Sequence, residues 1–335
     1  MRIKEKISRN LINIKGFRTN RKIVVIESDD WGFQRIPSMQ VFNNLSNKIQ
    51  LDTFDKYDGL ESETDLSLLF ETLLKFKDFK GNSPVITPMV IMTNADFSKM
   101  KLNDFEKYEF ETVTETFIKN KGSENCLKLY KEGIRNGVFA PQYHGREHYN
   151  ISLWLEAYNK DFKNVRFFAE NNSIPRTVEE DKRIYLTRSY NYSNDFEKKI
   201  ALDSIADGIN IFKKSFEFDP KVFMAPAYCW SDEIENVLEK NGVKFIQSGR
   251  VQFKPFYYNK DNEYIRHYTG ETNNYNQIYT IRNAMFEPTL TKHSTNTISN
   301  VLNEIKTAFF WKKPAIIQSH RINFIGSKDE KNRSN

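Results

Sequence analysis

The stretch Ile23-Val24-Val25-Ile26-Glu27-Ser28-Asp29-Asp30-Trp31-Gly32 organises the reading of this 335-residue chain. A compact β-branched run that ends in polar residues reads as a buried strand with polar groups at its carboxyl end. Neighbouring side chains on a strand point to opposite sides. Asp29 and Asp30 therefore have different tasks: one could bind a metal while the other works as a base. The plainer reading is a helix cap and a solvated carboxylate.

Outward from this strand, short apolar runs alternate with longer amphipathic segments. Val85–Met92, Val138–Tyr143, Val222–Ala225, Val243–Gln247, Ile278–Ile281 and Ala315–Gln318 read as strands. Between them, Asp65–Phe79, Glu124–Arg135, Ile151–Tyr158, Phe196–Phe212, Asp232–Asn241 and Thr297–Phe310 read as helices, three with a glycine just beyond as a stop. The alternation predicts an α/β fold with a parallel sheet covered by helices. About seven strands over this length fit one closed or nearly closed barrel, residues 23–335, better than two domains. Barrel sites sit at the carboxyl ends of strands, so residues just after each run are the candidates.

Two further polar clusters occupy such places. His144-Gly145-Arg146-Glu147-His148 follows the third run. Histidines four apart share one face of a helical turn and present two imidazoles to one metal. The chain has only five histidines, which makes this spacing informative; the bland alternative is a solvated helix start after Pro141. His320 follows the last run, where a lone histidine also reads as structural. One aspartate and two histidines leave coordination positions open, the pattern of a catalytic site. Such ligation suits Zn²⁺, and also Co²⁺, Ni²⁺ or Fe²⁺. A spare carboxylate to take a proton from water and a distant histidine to protonate a leaving group complete the equipment for hydrolysis.

In this order, from residue 23 to 320, the motifs resemble those of the polysaccharide deacetylase superfamily, carbohydrate esterase family 4. The resemblance implies a distorted (β/α)7 barrel and metal-dependent removal of acetyl groups from an N- or O-acetylated sugar. It implies Asp29 as catalytic base, Asp30, His144 and His148 as metal ligands, and His320 as general acid. Phe223-Met224-Ala225-Pro226-Ala227-Tyr228 stands where the family carries Arg-Pro-Pro-Tyr. Tyr228 then takes the place of the residue whose backbone N–H faces the oxyanion. Two departures stand out. The family's Thr-Phe-Asp-Asp-Gly is Glu27-Ser28-Asp29-Asp30-Trp31 here, with glycine delayed to Gly32, and the arginine that orients the base is Ala225. Without that arginine Asp29 loses a charge partner and its pKa is less depressed. Arg282, just after Ile278–Ile281, is the candidate substitute from a neighbouring strand; otherwise it is an ordinary surface arginine. These departures resemble a divergent bacterial branch associated with surface-polysaccharide or capsule biosynthesis. Trp31 reads either as a platform for a sugar ring or as core.

Two other functions compete. His144-Gly145-Arg146-Glu147-His148 also fits the inverted zinc-peptidase pattern His-x-x-Glu-His, with Glu147 as base. That pattern needs an uninterrupted helix, and it leaves Asp29-Asp30 and His320 without purpose. The missing third-motif arginine keeps open a catalytically degenerate barrel that binds a glycan or a partner.

Composition narrows the field further. The hydrophobic content of 39% with 13 Gly and 10 Pro excludes a low-complexity disordered chain. Two cysteines, Cys126 and Cys229, exclude a disulfide scaffold. The net charge of +6 hints at nucleic acid, but residues 1–22 hold eight basic residues against Glu5 alone, which is +7 and leaves −1 for the body. Nucleic acid is therefore not expected as a partner. In that basic arm Ile3, Ile7, Leu11 and Ile14 recur on one helical face. Either the helix rests on an anionic membrane leaflet, or it packs its stripe on the domain body; the second is the ordinary case, since one short stripe is marginal for membrane binding. Removal of the arm is expected to spare the barrel mouth. The arm does not have the layout of a secretory signal, so the cytoplasm is the expected compartment, with contact at the inner membrane surface as the peripheral option. A barrel usually adds a helix after its last strand. The polar run Ser327–Asn335 offers none, so the chain reads as shorter than a natural barrel.

Overall fold

A computed structural model describes every residue except 1, 2, 180–182, 256–262, 292–295 and 335. Met1 and Arg2 of the arm and Asn335 of the tail thus lie outside the described residues. The apolar runs become an eight-stranded parallel sheet: β1 (Val24–Trp31), β2 (Ile86–Ile91), β3 (Gln142–Gly145), β4 (Val222–Met224), β5 (Phe245–Ser248), β6 (Ile278–Ile281), β7 (Ala284–Met285) and β8 (Ala315–His320). Their spatial order is β6-β5-β4-β3-β2-β1-β8-β7.

The two ends of that order are neighbours in the chain. Only Arg282 and Asn283 separate β6 from β7. The Arg282 N–H donates to the Ser248 carbonyl of β5, and the Asn283 N–H donates to the Ile316 carbonyl of β8, both at 3.1 Å. One broken strand thus pairs first with β5 and then with β8, and the sheet curls into a distorted barrel of seven positions. Asn283 secures the break: its side-chain oxygen accepts from the Ile316 N–H, and its amide donates to the Pro314 carbonyl. Arg282 sits at this seam.

Register then places the chemistry. β1 lies between β8 and β2, and its pairing with β8 runs from Val24 opposite Ala315 to Asp29 opposite His320. β1 runs five residues beyond the apolar run, so both aspartates are part of the strand. Helices form the outer layer. The helix Glu63–Leu74 begins with a reciprocal Ser62–Asp65 cap and buries Leu66, Phe70 and Leu73. The 22-residue helix Asp195–Phe216 buries Ile205, Ile209 and Phe212 on one face. Gly208 on that face lets it close on β3, because a Cβ there would collide with the Tyr143 hydroxyl. Trp31, Phe139, Tyr143, Phe223 and Ile246 meet in the core beneath; each fully buried large apolar side chain contributes about 1.5–3 kcal/mol. No helix among the described residues is long and apolar enough to cross a membrane.

One open reading closes, and the expected packing of the arm changes. Trp31 is fully buried and its indole N–H donates to the Ser28 hydroxyl at 2.8 Å, so it is core and no platform for a sugar. The tail after β8 docks on the body through Arg321, which pairs with Asp58 and Glu61 at 2.9 and 2.8 Å, and Arg333, which pairs with Asp65 at 2.7 Å. The helix of the basic arm, Ile3–Leu11, does not pack its stripe on the body: Ile7, Leu11 and Ile14 are exposed. The arm is stitched on by polar groups instead, and Asn283 donates to Asn13 at 2.8 Å.

Candidate metal and hydrolytic site

In a regular strand Asp30 would point away from Asp29. The β1–β2 register shifts between Ser28 and Trp31, and Asp30 takes φ 71°, in the left-handed region where a non-glycine residue is strained. This bulge turns Asp30 to meet two histidines. His144 is the penultimate residue of β3, and its Nδ1 faces the Met224 carbonyl of β4 at 2.9 Å. That contact makes Nδ1 the donor and leaves Nε2 a lone pair. His144 Nε2 lies 3.4 Å from Asp30 Oδ1, and His148 Nε2 lies 3.0 Å from the same oxygen. All three residues are buried, and they form the only such donor cluster among the described residues.

The two histidines do not share a helical turn. His144 belongs to a strand and His148 to the loop before the helix Ile151–Asn159. Gly145 makes the convergence: it takes φ 130°, and a Cβ there would press on the Tyr190 hydroxyl. Phe33 stacks on the His148 ring at 5.0 Å and fixes its plane. Burial lowers the His148 pKa, which favours the neutral ligand form despite Asp30. Burial also pushes Asp30 up, but His148 and His144 outweigh it and hold the carboxylate well below its usual range.

The donor set fits a divalent cation. Two ligands about 2.0–2.1 Å from a tetrahedral zinc stand about 3.4 Å apart, close to the separations found here. Glu147 is not among the donors. It is buried, accepting from Arg146 Nε at 2.5 Å and from the Ser204 hydroxyl at 2.9 Å. The peptidase pattern thus lacks both its helix and its base at the cluster.

Beside this cluster, Arg282 reaches Asp29 with two nitrogens, at 2.5 and 2.6 Å, and Glu27 with Nε at 2.9 Å. The guanidinium is not at the surface; the Arg282 side chain is 1% exposed. Burial raises the Asp29 pKa, but Arg282 and then His320 more than offset this, and Asp29 is held ionised. Glu27 was absent from the sequence candidates although it shares a strand face with Asp29, two residues on. It keeps one edge of Arg282 engaged. Burial pushes its carboxyl up to about 7, against the pull of Arg282.

His320 faces Asp29 across the strand pair, with Nε2 3.8 Å from Asp29 Oδ2. Its other nitrogen pairs with Glu287 at 2.6 Å, and Asn323 donates to the second Glu287 oxygen at 2.6 Å. Burial lowers the His320 pKa, but the Glu287 carboxylate and hydrogen bond prevail and lift it to about 10. Glu287 left no sequence signal, because the strand before it is two residues long.

Tyr228 departs from its expected place. Ala227 and Tyr228 both take positive φ, and the Tyr228 N–H donates to the Ala225 carbonyl at 3.0 Å. That backbone donor is spent inside its own turn. The phenol instead reaches Arg282, which donates to it at 3.4 Å.

No family model matches the chain, and no curated protein matches it. Solved structures do. The chain is similar to a 4-alpha-glucanotransferase from Thermococcus litoralis, with 10% identity over 90% of this chain and a TM-score of 0.41; it spans only 34% of that protein. It is similar to a polysaccharide deacetylase from Bacillus cereus, with 12% identity, 84% of this chain and 67% of the other covered, and a TM-score of 0.36. A pseudoenzyme of the CE4 family from Bacillus anthracis gives 9% identity, 90% and 55% coverage, and a TM-score of 0.33. Polysaccharide deacetylases are thus among the solved structures that this chain resembles.

Proposed function

We propose that the chain is a metal-dependent hydrolase that removes an acetyl group from an N- or O-acetylated sugar of a polysaccharide or its precursor. One observation carries the reading. Asp29, ionised by a two-pronged arginine, and His320, protonated by a buried glutamate, are register partners beside three clustered metal donors. Asp29 takes a proton from the attacking water. His320 gives its proton to the departing amine or alkoxide, so the products are acetate and a free amino or hydroxyl group. When bound at Asp30, His144 and His148, a divalent cation would supply Lewis acidity to the acetyl carbonyl and to the water. The donors suit zinc, and also cobalt, nickel or iron(II).

A groove of about 1090 Å³ adjoins Tyr228 at Ala227, lined by Phe162, Arg176, Tyr185, Arg188 and Phe253. Aromatic faces with interleaved polar groups suit a glycan longer than one sugar. A link to surface-polysaccharide assembly rests on the motif resemblance alone. The degenerate glycan-binding barrel has one observation in its favour, the spent Tyr228 N–H.

The test is acetate release from a panel of N- and O-acetylated oligosaccharides. Asp29→Asn and His320→Ala should each lower it by about 10²–10⁴-fold, while Glu147→Gln should leave it within a few-fold. Peptide cleavage that depends on Glu147, or sugar binding with no acetate release by metal-loaded protein, would replace this reading.

A further inference from the structure

The helix of the basic arm is mounted with its polar side inward. Arg9 pairs with Glu304 at 3.0 Å, Asn10 accepts from the Trp311 indole at 2.9 Å, and Asn13 is 1% exposed. Beyond the helix, Arg18 donates to the Trp311 carbonyl, and Lys313 donates to the carbonyls of Lys15 and Phe17. The apolar side chains face out: Ile7 is 53% exposed, Leu11 47%, Ile14 41% and Phe17 54%. Among the described side chains of the arm helix and the turn after it, Ile12 packs against the core. A surface helix ordinarily does the reverse.

Charge narrows what covers this face. Lys15, Arg18, Arg21 and Lys22 are exposed around it, and Glu5 is the only acid in residues 1–22. We propose that residues 7–22 form a docking surface for an anionic phospholipid leaflet. The four apolar side chains enter the boundary between headgroups and acyl chains, and the cations meet the phosphates. Neither feature suffices by itself: one short apolar stripe binds a bilayer marginally, and the basic residues add about fivefold in partition each. The arm's contacts with Trp311, Lys313 and Pro314-bound Asn283 lie where the chain leads into β8, at the barrel end opposite His320. A docked molecule therefore turns its mouth to the aqueous side. The inference does not depend on the chemistry at the mouth.

The test is co-sedimentation of the full chain with vesicles of phosphatidylcholine alone or with about one-quarter phosphatidylglycerol, at about 0.15 M and 0.5 M salt. Binding is expected only to the anionic vesicles, weaker at the higher salt. Ile7→Ser with Leu11→Ser and Ile14→Ser should reduce it more than tenfold without lowering the melting temperature. Lys15→Ala with Arg21→Ala and Lys22→Ala should reduce it at least as much, and this second variant carries the test if the first does not fold. Failure of the folded chain to bind anionic vesicles overturns the proposal, as does equal binding to both vesicle types. So does a dimer in solution that the Ile7/Leu11/Ile14 variant converts to monomer, which would make the face a contact between copies.

Discussion

Arg282 and Glu287 do, in this chain, what no single motif announces. Each fixes the charge of one partner in the Asp29–His320 pair, one by donating two hydrogen bonds, the other by accepting one. Because His320 is lifted to about 10, its proton is present at neutral pH and lost as pH rises through that value. The alkaline limb of kcat/KM should therefore fall near pH 10. Glu287→Gln keeps the shape, removes the charge, and should move that limb down toward the ordinary histidine value; an unmoved limb would assign it to another group. Arg282→Met leaves Glu27 and Asp29 buried without their partner and should cost about 3–5 kcal/mol in denaturant unfolding. Adding Glu27→Gln and Asp29→Asn should recover part of that loss. A triple variant no more stable than the single would mean the arginine acts through packing alone.

Single elements show where sequence reading succeeds and fails. Val85–Met92, Val222–Ala225 and Ala315–Gln318 were legible as strands because buried parallel strands are continuous apolar runs. The seam was not: β6 and β7 are separated by an arginine and an asparagine, and two residues are too few for a periodic signal. The bulge at Asp30 and the turn at Gly145 were also hidden, since a spacing of four reads as helix unless the backbone angles are known. Those two irregularities bring the three donors together, so Gly145→Ala is a sharp probe. It should cost about 1–3 kcal/mol of strain and displace His148, lowering metal affinity by at least about tenfold. Unchanged metal binding by calorimetry would show that the loop reaches its place without this glycine.

At the scale of the whole molecule, the order of the motifs along the chain was enough to anticipate a barrel with its chemistry at one end. Arg282 was legible as a partner for Asp29, but Glu27 and Glu287 were not: Glu27 meets Arg282 only through the β6–β7 seam, and Glu287 follows a strand of two residues paired with β8. Charge counting separated a basic arm from a neutral body, yet it could not say which face of the arm the body takes; polar contacts from Glu304, Trp311 and Asn283 decide that. The most direct measurement of the central claim is acetate release from the oligosaccharide panel by the purified chain, before chelation, after chelation, and after zinc is restored. Release should be abolished by chelation and restored by zinc, and Asp30→Ala and His148→Ala should lack it together with the bound metal. Release indifferent to chelation, or full metal content and activity in either variant, would contradict it.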